Sequence, residues 1–120
     1  MDLVELNRRV TSAIFRAERF AEGSWEAQEA YREVSFIEEE IASLTGPAEA
    51  EGAVAREGAV HAAIEAGECL RALSLATRYL EEDAAPAVLR AELEVLRAMA
   101  DKALPDGIAE VKHVHFHIAA

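Results

Sequence analysis

The stretch that decides the fold is "AEAEGAVAREGAVHAAIEAGE", residues 48–68. Its period is helical, but Gly52, Gly58 and the alanines between them leave little side-chain bulk on any face. Each glycine inside a helix costs up to about 1 kcal/mol relative to alanine. We therefore expect a compensating interaction, and close approach of a neighbouring helix is the simplest one. Room for a ligand against the helix is the alternative.

Apolar residues on either side of this segment recur at three- and four-residue steps, which predicts four further helices. Two of them, near residues 2–22 and 25–44, precede the segment, and two more, near 69–82 and 83–103, follow it. The loops are short, so consecutive helices are expected to lie antiparallel. The sequence thus predicts an all-α fold, an antiparallel bundle of four to five helices with a short C-terminal β-strand.

The predicted domain organisation is a helical bundle over residues 1–107 and a C-terminal strand or tail of the same domain over 108–120. Capping and helix-stopping residues set the predicted boundaries. These are Asp2, Ser24 and Asp83 as N-caps, Pro47 and Pro86 in first turns, and Gly23 and Gly67 at helix ends.

The side chains predicted to face the core follow the same spacing in four of the helices. They are Leu3, Leu6, Val10, Ile14, Ala17 and Ala21; Trp25, Gln28, Tyr31, Val34, Ile37, Ile41 and Leu44; Leu70, Leu73, Ala76, Thr77 and Leu80; and Leu89, Leu93, Leu96, Ala100 and Ala103.

Composition narrows the function classes. The 120 residues carry a net charge of −11, the opposite of the balance that phosphate contacts require, so nucleic acid is not an expected partner. The best basic stripe, Arg8, Arg9, Arg16 and Arg19, shares its segment with glutamates. No apolar run is long enough to span a membrane, and the mixed-charge start is unlike a signal peptide. With a single cysteine, Cys69, a soluble cytoplasmic protein is expected.

The stretch "AAIEAGECLRALSLATRYLEEDA", residues 62–84, resembles the second half of a tetratricopeptide repeat. The resemblance rests on Gly67 at the turn and the small residues Ala72 and Ala76 after it, and the signature aromatic residues are missing. It implies a tight helical hairpin with a hint of a peptide-holding scaffold. One such unit does not make a solenoid, which needs about three.

The C-terminal stretch "VKHVHFHI", residues 111–118, alternates in the manner of a strand. One face carries His113, His115 and His117, and neutral imidazole is a ligand for zinc, nickel and copper, so a divalent transition metal is a possible cofactor. However, side chains two apart on a strand are about 6.5 to 7 Å apart, so three in a row converge on one ion only with help. An exposed or cross-paired histidine ladder is the alternative interpretation.

The opposite face of that strand is apolar and can dock on the helices through Val114, Phe116 and Ile118. A lone strand leaves its backbone groups unpaired, and its own copy across a two-fold axis is the simplest partner. Antiparallel pairing would bring the histidines of both copies together. The sequence therefore predicts a homodimer, or docking on the sheet edge of a protein partner.

Two acidic groups in the helices offer further metal chemistry. Glu57, His61 and Glu65 lie at four-residue steps, although ordinary Glu–His surface pairing explains them equally well. The run Glu38–Glu39–Glu40 after "SWEAQEAY" resembles the magnesium-binding helix of all-α nucleotide pyrophosphohydrolases of the MazG type. That family's further glutamate and its second metal-binding helix have no match here, so a solvated acidic face is the predicted structure.

These observations favour a small, acidic, non-enzymatic interaction or regulatory subunit in the cytoplasm, which dimerises or docks through its C-terminal strand. A transition-metal-binding protein that uses the His-x-His-x-His tail is one alternative. A metal-dependent nucleotide hydrolase is the other. No catalytic residue is assigned, since Cys69 is flanked by acids and no serine or phosphate-cradling glycine loop stands in a motif.

Overall fold

The computed structural model of the chain describes residues 1–104. Within them the protein is all-helical and contains five helices, so the predicted class and helix number are confirmed. The helices are α1 (Leu3–Glu18), α2 (Trp25–Ser43), α3 (Ala50–Glu65), α4 (Cys69–Leu80) and α5 (Ala87–Ala103). The predicted C-terminal strand lies outside the described residues. Of these five helices, none is long and apolar enough to cross a membrane.

Two predicted N-caps are confirmed and a third is wrong. Asp2 accepts a hydrogen bond from the Glu5 amide at 2.9 Å, and Ser24 accepts one from Ala27 at 3.2 Å. Asp83 does not cap α5; a turn over residues 82–85 intervenes, and Pro86 itself is the capping residue. Gly23 has a φ of +78°, a backbone conformation that favours glycine where a helix ends.

The prediction that Pro47 opens α3 is also wrong, because a turn over residues 46–49 comes first. The Glu49 amide donates to the Gly46 carbonyl at 3.1 Å, and the Glu49 carboxylate accepts from the Gly46 amide at 3.0 Å. The turn brings the Gly46 carbonyl against α3 at Gly52, where an added Cβ would lie 1.9 Å from that oxygen. A backbone group does approach α3 closely at Gly52, but it belongs to the preceding turn and not to a neighbouring helix as expected.

The core is mainly aliphatic and rich in alanine. α1 packs on α2, α2 packs on α3, and α3, α4 and α5 contact one another. Its larger members are Leu6, Val10, Val34, Ile41, Val60, Leu73, Leu75, Tyr79, Leu89, Leu93 and Leu96, with alanines between them. The α3–α4 hairpin turns at Gly67, whose φ is +78°.

Several residues predicted to face the core are exposed instead. They are Ile14, Ala21, Trp25, Leu44, Leu70 and Ala103, with Trp25 71% and Leu70 49% exposed. In α4 the predicted core residues Leu73 and Ala76 are buried, and Ala72, Leu75 and Tyr79 are buried as well, because both α3 and α5 contact this helix. Periodicity alone places such a face only to within one or two positions.

Candidate functional site

The histidines and apolar residues of the predicted tail site, His113, His115, His117, Val114, Phe116 and Ile118, lie outside the described residues. The metal site and the strand interface remain predictions. Across residues 1–104, no group of three or more His, Cys, Asp or Glu side chains is placed to hold a metal ion.

The acidic face proposed on α3 does not gather its residues around one point. His61 lies 3.7 Å from Glu65, the surface pairing expected from their spacing. Glu57 turns instead towards α5, where a hydrogen bond with the carboxyl group of Glu92 raises the pKa of Glu57. Glu57 is thus directed to the α3–α5 contact and away from His61 and Glu65.

The predicted solvated face at residues 38–40 is wrong for Glu38. This side chain is 9% exposed and lies against α3, so that a Cβ added at Gly58 would lie 2.1 Å from the Glu38 carboxylate. Glu38 makes no hydrogen bond or ion pair with any residue in 1–104. Burial alone raises the pKa of Glu38 to about 7. The space that glycine leaves on α3 is therefore filled by a carboxyl group of α2.

Glu39, the next residue, joins α2 to α4. Its two carboxylate oxygens accept hydrogen bonds from Arg71 and Arg78, each at 2.7 Å. Burial raises the pKa of Glu39, but the hydrogen bonds from the two arginines outweigh it, so the pKa lies below its ordinary value. Arg71 also lies over the Phe36 ring, 4.1 Å from its centroid. Magnesium binding by residues 38–40 would have to break these contacts.

Arg56 is the one buried cation of the described residues, and sequence reasoning missed it. Its guanidinium donates to both carboxylate oxygens of Glu82, at 2.7 and 3.0 Å, and to the carbonyl oxygens of Gly52 and Thr45, each at 3.0 Å. It also lies 5.5 Å from the centroid of the Tyr79 ring. One side chain thus holds together the α2–α3 loop, α3 and the α4–α5 loop.

A pocket of about 310 Å³ lies beside this cluster and is lined by Glu39, Arg56, Arg78, Tyr79 and Glu82. Each arginine is already paired with a carboxylate, so the pocket has no unpaired charge with which to select a charged ligand. The Tyr79 hydroxyl is buried without a hydrogen-bond partner in the described part of the chain, and burial raises its pKa. We interpret the cluster as a clamp that stabilises the fold.

The outer face of α5 is a second apolar surface that sequence reasoning overlooked. Val88, Val95 and Met99 are 72%, 61% and 48% exposed, and their spacing places them on one side of the helix. The exposed Ala91 and Ala98 lie between them. Leu89, Leu93 and Leu96 face the core from the opposite side. We call the exposed set the outer α5 stripe.

In comparisons with known proteins, no family model, curated protein or solved structure matches the chain. Function is therefore argued from the chain's own surfaces. The charged residues around Glu39 and Arg56 are bonded mainly to one another. The outer α5 stripe, in contrast, is apolar and exposed to solvent.

Proposed function

We propose that the protein is a cytoplasmic, non-enzymatic interaction or regulatory subunit that forms a homodimer through its C-terminal strand. The observation that carries the proposal is the outer α5 stripe. Single exposed apolar side chains are normal on a protein surface, but a contiguous apolar patch marks an interaction site. Here the apolar residues follow helical spacing over about 17 Å, from Val88 to Met99.

The sequence that follows α5 supplies a suitable occupant. After Leu104 come Pro105, Asp106 and Gly107, a combination typical of a turn. Residues 108–118 then span up to about 36 Å if extended, more than the length of the stripe. Their apolar members Val114, Phe116 and Ile118 would pack on the outer α5 stripe while the backbone pairs with the strand of a second copy.

The occupant we favour is thus a second copy of this chain. A strand laid on a helix has no hydrogen-bond partners there, whereas its own copy offers a complete ladder. In a two-fold dimer each protomer contributes the same strand to the interface. A single segment of the sequence is therefore sufficient to form it.

Light scattering coupled to size-exclusion chromatography tests the proposal. The molar mass measured for the full chain should be twice its chain mass of 13.0 kDa. A chain that ends at Asp106 should have the mass of a monomer. Replacing Val95 and Met99 by serine should weaken the dimer, whereas Val54→Ser, at a 65% exposed position on α3, should not. Added salt should tighten the dimer, because each copy carries a charge of −11.

Two outcomes would contradict the proposal. A full chain that is monomeric at all concentrations would exclude the homodimer. A dimer that persists in the truncated chain would show that the C-terminal strand is not its cause. Circular dichroism of each variant checks that the five helices are retained.

A further inference from the structure

The outer face of α1 differs from the rest of this acidic chain. α1 packs on α2 through Leu6, Val10, Ala13 and Ala17, which leaves its opposite side open. Four of the twelve basic residues of the chain, Arg8, Arg9, Arg16 and Arg19, lie on this helix and its C-cap. In a chain with 23 acidic residues, this is a local reversal of charge.

A shallow groove of about 410 Å³ runs along that open side, lined by Arg8, Thr11, Ser12, Phe15, Arg16 and Arg19. Thr11 and Ser12 are its smallest lining residues. Phe15 is 64% exposed, so its ring is open to an apolar group of a ligand. We call these six residues the α1 groove.

The glutamates that share this segment lie beside the groove rather than in it. Helical spacing places Glu5 and Glu18 at its two margins, and neither lines it. Glu5 accepts hydrogen bonds from Arg8 and Arg9, so its charge is already used. The residues that line the groove therefore include three arginines and no glutamate.

The guanidinium groups are not all neutralised. Arg16 bonds with Glu33 of α2, and Arg8 shares Glu5 with Arg9. The Arg19 side chain makes no hydrogen bond or ion pair with any residue in 1–104. An anionic group placed at this end of the groove would meet a cation that has no competing partner.

We propose that the α1 groove is a docking surface for a short acidic peptide segment that carries an apolar side chain. A carboxylate would pair with Arg19, the cation without a partner in residues 1–104, and the apolar side chain would pack on Phe15. Guanidinium groups bind carboxylates through paired N–H donors, which gives geometric selectivity as well as charge.

The charges around the groove favour a short peptide over nucleic acid. The exposed carboxylates Glu29 and Glu33 of α2 lie on the helix next to α1, so the basic surface is about one helix wide. DNA carries one charge per about 1.7 Å of its axis and would place many phosphates over acidic surface. A short peptide that places a single carboxylate at Arg19 avoids that repulsion.

Heteronuclear NMR of the full chain tests the proposal with a defined probe. The probe is a helix-forming peptide of about 14 residues in which glutamates flank a stripe of leucines. We expect saturable amide shift changes concentrated in residues 8–19, weakened by added salt. A matched peptide with lysine in place of glutamate should leave those amides unchanged.

Two variants with matched controls separate the contributions. Phe15→Ala should raise the dissociation constant about tenfold through lost apolar contact, and Phe36→Ala, at a 52% exposed ring on α2, should leave it unchanged. Arg19→Gln should raise it about threefold, while Arg97→Gln on α5 should have no effect.

Absence of saturable shifts would overturn the proposal, as would equal shifts with the lysine peptide or shifts centred away from residues 8–19. Larger shifts of the same residues with a short DNA duplex would show a phosphate-binding surface instead. The outcome is independent of the dimer proposal, because a chain that ends at Asp106 retains all of α1.

Discussion

The α2–α3 contact and the contacts of α5 hold helices together in two different ways. α3 presents Gly52 and Gly58 to its neighbours, and specific polar groups fill the space: the Gly46 carbonyl at one glycine and the Glu38 carboxyl at the other. Next to Gly58, the Ser35 hydroxyl donates to the Ala59 carbonyl at 2.8 Å. α5 instead packs on α4 and α3 through buried leucines. The α2–α3 contact depends on the fit of individual polar atoms at the glycines. The contacts of α5 depend on how completely its leucines fill the core.

The leucine contact should be sensitive to lost volume, with the largest effect of the set. Leu93 is fully buried, so Leu93→Ala should lower the free energy of unfolding by about 4 kcal/mol. Leu93→Met conserves volume and should cost less than about 1.5 kcal/mol. Urea unfolding followed by circular dichroism measures both. Equal losses for the two variants would show that this contact, too, depends on shape.

The glycine contact should be sensitive to added volume. Gly52→Ala places a Cβ 1.9 Å from a backbone oxygen, which no rotamer change relieves, and should cost about 3 kcal/mol despite alanine's better helix propensity. Gly46→Ala is the control, since its Cβ would meet nothing closer than 3.9 Å. If Gly52→Ala is as stable as the control, the close approach does not constrain the fold.

The buried carboxyl group of Glu38 makes the free energy of unfolding depend on pH, whereas the leucine contact does not. Burial raises the pKa of Glu38 to about 7 in the folded protein, so its stabilising contribution is complete below the unfolded value of 4.5 and is lost as pH rises through 7. Glu38→Gln removes this loss. The variant should gain about 2 kcal/mol over the parent between pH 4.5 and pH 8.

Unfolding curves at both pH values measure that difference. Glu40→Gln, an exposed position on the same helix, serves as the control. A difference between Glu38→Gln and the parent that stays constant with pH would show that Glu38 is charged and solvated in the folded state.

The smallest loss of stability in the set is expected at Gly58, which differs in this from Gly52. A Cβ at Gly58 meets the end of a flexible side chain rather than backbone, so Gly58→Ala should cost only about 1 kcal/mol. In a Glu38→Ala background the obstacle is gone, and the same substitution should become stabilising by up to about 1 kcal/mol. A double-mutant cycle measures this coupling, and additive effects would contradict the contact.

Much of the fold could be predicted because it follows from local signals. Helical spacing, and the caps Asp2 and Ser24, depend on residues within one turn of each other. The errors arise where distant parts of the chain decide. Pro47 is a good first helical residue in isolation, but the contact between Gly46 and Gly52 requires a turn there.

The candidate sites were less predictable for the same reason. A charged residue in an amphipathic pattern is assigned to solvent, and only the glycine on a neighbouring helix makes room to bury Glu38. Arg56 bonds to residues 11 and 26 positions away, which no local pattern reveals. On α5 the spacing of the leucines predicted the core-facing side. The spacing of Val88, Val95 and Met99 would have predicted an apolar outer side as well.

Arg56 has a consequence for how the molecule opens. Its guanidinium bonds to Thr45 in one loop and to Glu82 in another, and Arg90 reinforces the second loop through the Leu80 and Glu82 carbonyls. Neither loop can detach without the loss of a bond to the same side chain. In hydrogen exchange the amides of both loops should therefore behave as one cooperative unit, and a protease that cuts one should gain access to the other.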